Sequence, residues 1–113
     1  MSTVRITYGT CGFTTIVNIK SWGKGKPFSV EIKSECEMVE KMAGEIKQLD
    51  RMDAFVGFMN NPVYKAAARH LTHVACPVPS GILMALEVEA GFNLPSYASI
   101  EFTDDIPAGA PEG

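Results

Sequence analysis

The first third of the chain places apolar side chains at every second position, and this limits its folds more than any other feature. Val4, Ile6 and Tyr8 alternate with Thr3, Arg5 and Thr7, the pattern of a half-buried strand over residues 3–8. Tyr8-Gly9-Thr10-Cys11-Gly12 breaks it. Phe13, Thr15, Val17 and Ile19 then share a face over residues 13–20, and Phe28, Val30 and Ile32 alternate with Ser29, Glu31 and Lys33. Between these two runs, Trp22-Gly23-Lys24-Gly25-Lys26-Pro27 reads as a loop, so they form an antiparallel hairpin with a connection longer than the tightest type.

At Ser34 the period changes. Ser34 with Glu37 makes a capping box. Met38, Val39, Met42, Ala43, Ile46 and Leu49 follow at helical spacing, with Glu40, Lys41, Glu45 and Lys47 on the other side. Met52, Phe55, Val56 and Met59 continue as a short second helix. Asn60-Asn61-Pro62 restarts the chain with proline at a first helical position, and an Ala-rich helix runs from Val63 to about Val74. Cys76-Pro77-Val78-Pro79-Ser80 is expected to be extended. Ile82 to Ala90 is a helix with few charges, capped by Gly91. Ala98, Ile100 and Phe102 alternate as a last strand, and the Pro-, Gly- and acid-rich tail 103–113 is expected to be flexible. The order β-β-β-helices-β predicts an α+β fold, a small antiparallel sheet with helices on one face, as one domain over residues 1–102.

Charge and composition narrow the function. The 113 residues carry a net charge of −3, and the lysines at 20, 24 and 26 are too sparse for the basic footprint of a nucleic-acid binder. No apolar stretch reaches the roughly 20 residues of a membrane span, and Met1-Ser2-Thr3-Val4-Arg5 lacks the apolar run of a signal peptide. Three cysteines cannot pair completely. These features point to the reducing cytoplasm, with thiols free or metal-bound.

All three cysteines sit at junctions. Cys11 lies in a glycine-flanked turn, Cys36 in the expected first turn of a helix, and Cys76 ahead of a late helix, followed by Pro77. Helix N-termini favour thiolate over thiol, and thiolate is the form that binds metal. His73 stands three residues before Cys76, a spacing that makes neighbours on a helix. Cys11, Cys36 and Cys76 are thus candidate thiolate ligands with His73 as a fourth donor, and thiolates with imidazole suit zinc or an iron–sulfur cluster. Cys36 is flanked by Glu35 and Glu37, which oppose a thiolate. The competing reading of each cysteine is a small buried apolar residue. His70 reads as an exposed histidine near a helix C-terminus. Met38, Met42, Met52 and Met59 read as adaptable core. Gly23-Lys24-Gly25-Lys26 is not a phosphate loop, because no helix follows it. A Cys–His nucleophile is conceivable, but no hydrolase signature accompanies it, and no catalytic residue is assigned.

The layout resembles the NifU/IscU-type iron–sulfur cluster scaffold proteins. The residues that carry the resemblance are Cys11-Gly12 before a strand, Ser34-Glu35-Cys36 after a hairpin, and His73-Val74-Ala75-Cys76 before a late helix. It covers roughly residues 9–90. It implies a small α+β domain, a cluster held by Cys11, Cys36 and Cys76, and donor or acceptor proteins as partners. The chain differs from that family at Phe13, where an acidic residue usually follows Cys-Gly, and at Ala75, where the histidine usually stands. It also resembles a group of short prokaryotic proteins that share a Cys-Pro-Val-Pro segment, a likeness that implies no activity. The alternative function is a metal-free interaction module, possible as a homodimer through exposed strand edges and Phe92-Asn93-Leu94-Pro95.

Overall fold

In the computed structural model, which describes residues 1–105 and Gly109, the alternating segments become strands β1 (Ser2–Thr7), β2 (Thr14–Lys20) and β3 (Phe28–Ser34). They pair antiparallel, with Thr7 opposite Thr14 and Thr15 opposite Ser34. The inward positions Thr15, Val17, Ile19, Phe28, Val30 and Ile32 are all buried, as period two requires. The fold is α+β with an antiparallel sheet of four strands in the order β1-β2-β3-β4.

The fourth strand is not the expected one. β4 is the two-residue segment Gln48–Leu49, paired with Phe28 and Ser29 of β3. Residues 98–102 form no strand and lie exposed. Alternation suits a segment to a sheet, but a strand needs partner N–H and C=O groups, and this segment has no such partner within the chain's described residues. The expected flexible tail falls in part on residues 106–108 and 110–113, outside the described ones.

The first helix is shorter than its spacing suggests. α1 runs Glu37–Ala43 with Cys36, not Ser34, as its N-cap residue. Ser34 ends β3, where its hydroxyl accepts from the Cys36 N–H at 3.0 Å and its own N–H donates to Glu40 at 2.6 Å. After Ala43 the backbone tightens into bonds from Glu45 N to Met42 O and from Ile46 N to Ala43 O, a usual way for a helix to run out. Ile46 and Leu49 still reach the core, but from the segment leading into β4. An i, i+3 spacing alone does not separate these cases.

Arg51–Phe55 is a 3-10 helix. Met52 and Phe55 are exposed, as is Met59 beyond it, so of the four methionines read as core only Met42 is fully buried. α2 spans Pro62–His70 with Pro62 at its start and Asn61 as cap. α3 spans Val78–Glu89, so the segment expected to be extended supplies its first turn, with Pro77 as N-cap. Two prolines there are compatible with helix because the first-turn N–H groups have no intrahelical partner anyway. Gly91 at φ +83° ends α3, with Phe92 N bonded to Glu87 O and Gly91 N to Val88 O, the paired closure that favours glycine.

α3 lies along β1 and β2, and two contacts fix its direction. Gly81 approaches β1 so closely that a methyl group there would overlap Ile6 Cδ1 and sit 2.6 Å from its Cγ1. At the other end, Glu89 accepts from the Ser2 hydroxyl at 2.8 Å and the Ser21 N–H at 2.9 Å, and pairs with the N-terminal ammonium at 3.3 Å. α3 therefore runs antiparallel to β1, with its start at the end of the sheet where β1 finishes.

Candidate functional site

Three loops meet at that end of the sheet. The β1–β2 turn carries Cys11, the β3–α1 junction carries Cys36, and the α2–α3 junction carries His73 and Cys76. The antiparallel register brings the start of β2 beside the end of β3, and the direction of α3 brings Cys76 to both. All four side chains line one cavity of about 80 Å³. Its wall is otherwise mainly apolar, with Ile6, Phe13, Val39 and Val78 among its residues. About 10–15 Å³ of such space is enough for one water molecule, so the cavity suits a small occupant.

Each donor is placed by local chemistry. The Cys11 turn closes through Gly12 N to Tyr8 O at 2.8 Å, with Gly12 at φ +72°, a conformation that favours glycine. Cys36 stands at the N-cap of a short helix, not inside its first turn. Cys76 donates its N–H to His73 O at 3.2 Å. The pair is thus set by a tight turn and not by the helical spacing expected of it. Cys11 is exposed, whereas Cys36 and Cys76 are half-buried against the core.

Glu35 was legible only as a charge beside Cys36, but it has a structural role. Its carboxylate accepts from the Thr14 N–H at 2.8 Å, and its own N–H donates to Thr14 O at 3.4 Å. It thereby ties the strand that follows the Cys11 turn to the residue before Cys36. A carboxylate followed by the cysteine, opposite a strand start, is the signal that marks it, and only the register shows which N–H it meets.

Burial pushes the Cys76 thiol above its ordinary range, the Val78 N–H pulls it down, and the nearby Cys36 and Cys11 sulfurs push it up. The net direction is upward, so Cys76 favours its protonated thiol. Among the described residues, no three His, Cys, Asp or Glu side chains stand close enough together to hold an ion. Holding one would require loss of the thiol protons.

His70 is not part of this group. It pairs with Glu45, which Arg69 also holds at 2.7 Å. The Arg69 guanidinium, against the opposing effect of burial and with help from His70, keeps the Glu45 carboxyl below the usual range. Among the described residues, no helix is long and apolar enough to cross a membrane.

The chain belongs to a family of unknown function (DUF6951), which it matches over residues 2–102. Neither the curated proteins nor the solved structures provide a match.

Proposed function

We propose that this domain binds a soft metal, as zinc or as an iron–sulfur cluster, through Cys11, Cys36 and Cys76, with His73 as a fourth donor. One observation carries the reading: three thiols and an imidazole, borne on three loops far apart in sequence, line a single small apolar cavity. The donor set fits the group, because three thiolates and an imidazole match a four-coordinate zinc site and also the preferences of iron–sulfur clusters. An apolar wall strengthens thiolate–metal attraction by excluding water.

The chain's own residues divide the work. Cys36 and Cys76 form the fixed inner part, packed against the core. Cys11, on an exposed turn, closes the outer side, and Glu35 holds that turn in register. A site with one exposed ligand exchanges its occupant more readily than a closed structural one, so donor or acceptor proteins would approach from the Cys11 side. A reducing compartment such as the cytoplasm keeps such thiols available.

The test is zinc, iron and acid-labile sulfide content on protein purified without oxygen, beside the Cys11→Ala, Cys36→Ala, Cys76→Ala triple variant. About one equivalent of zinc, or iron with sulfide, is expected in the wild type. The triple variant should lose it while keeping its circular dichroism. Metal-free wild type that takes up neither zinc nor a reconstituted cluster rejects the reading.

A further inference from the structure

On the side of the molecule formed by the 3-10 helix, α2 and α3 lies a second, open groove of about 490 Å³. Phe55, Phe58, Tyr64, Leu83 and Met84 line it, and Phe55 and Phe58 are 61% and 74% exposed. The same chain carries a second apolar feature that touches nothing. Beyond α3, Leu94, Tyr97, Ile100 and Phe102 are 81% exposed or more. Both features fall within the residues shared with the family. Exposed apolar surface on this scale marks an interaction site.

We infer that the arm 94–102 of one copy lies in the groove of a second copy, so that two copies exchange arms about a two-fold axis. The starting point of the arm supports this. Phe92 packs edge-on against Phe55 with ring centroids 4.6 Å apart, and the Arg51 guanidinium lies over the Phe92 ring at 4.5 Å. The arm therefore leaves from the rim of the groove. To fill its own groove it would have to reverse at once and run back along α3. Pro95 fixes its own φ and holds Leu94 extended, so the segment leaves Asn93 as an extended arm. An arm that continues outward meets a second molecule instead, and exchange of an identical element is an easy route to a closed dimer.

The area is sufficient. Four such side chains offer on the order of 600 Å² per arm. Two arms and the two grooves they cover bury on the order of 2,000 Å², within the range of stable interfaces. The exchange does not depend on the metal site, which lies at the sheet end where α3 begins.

The test is the mass of the full chain by light scattering and sedimentation on the order of 50 µM, with reductant and chelator present to exclude disulfide- and metal-linked dimers. Wild type should be a dimer. Tyr97→Asp with Phe102→Asp in the arm, and separately Phe58→Asp in the groove, should each weaken dimerisation at least about tenfold. All three positions are exposed, so circular dichroism should be unchanged. Mixing the arm variant with the groove variant should restore part of the dimer, because one intact arm meets one intact groove. A monomeric wild type overturns the inference, including the case in which the arm covers its own groove. A dimer that both variants leave intact overturns it equally.

Discussion

Glu35 and Asn61 show how single side chains hold segments that have no regular structure of their own. Glu35 touches neither sulfur, yet it ties the strand after the Cys11 turn to the residue before Cys36. Under the proposed zinc binding, Glu35→Ala is expected to leave the fold intact and weaken that binding about tenfold, the usual cost of losing a group that orients ligands. Competition titration against a chromophoric chelator measures this, and unchanged affinity would remove Glu35 from the site. Asn61 is 2% exposed. Its amide donates to Asp53 O at 2.9 Å and Val56 O at 3.0 Å, while its oxygen accepts from Val63 N at 3.0 Å. The sequence marks Asn61 as a helix start but not as the clasp between the 3-10 helix and α2. Asn61→Ala loses the cap and strands two carbonyls, so unfolding in urea should show a loss of about 2–3 kcal/mol.

Among the elements, α3 decides where the site forms. Its few charges marked it as buried, and Ile82, Ala85 and Leu86 are fully buried. Gly81 sets how near it comes to β1, and so how near Cys76 comes to Cys11. Gly81→Ala gains helix propensity of up to about 1 kcal/mol but forces Ile6 aside, which in a packed core costs more. A net loss of about 1–2 kcal/mol is expected. Shortening the partner with Ile6→Val in the same chain should recover part of it. A double-mutant cycle measures the coupling, and additive losses would mean that the close approach is not the cause.

For the molecule as a whole, two lowered carboxyls predict the response to acid. Burial pushes Glu89 up, but the Ser21 N–H, the Ser2 and Ser21 hydroxyls and the N-terminal ammonium together hold it below its ordinary range. Glu45 is lowered by Arg69 and His70. The unfolded chain then binds more protons than the folded one in mild acid. The stability these groups supply is complete above the ordinary carboxylate range and is lost as pH falls through their lowered folded values. Urea midpoints from about pH 6 to about pH 3 should therefore fall less steeply for Glu89→Gln than for wild type. Parallel curves would show that Glu89 is not one of the groups responsible.

The three long strands, the helix start at Pro62, the cap at Gly91 and the α+β class are legible from local pattern alone. Each of these depends on near neighbours: side chains two apart on a strand, a cap beside its helix, a glycine at positive φ. The sequence also singled out Cys11, Cys36, Cys76 and His73, because junction residues can be recognised from the elements on either side. The rest depends on contacts between distant segments. Whether Ala98, Ile100 and Phe102 make a strand depends on a partner edge. Whether Ile46 and Leu49 continue a helix depends on what Phe28 and Val30 require alongside them. Whether three distant cysteines share a cavity depends on the antiparallel register of β2 with β3 and on the direction of α3 over β1. These are relations between segments far apart in the chain, and local periodicity carries no information about them.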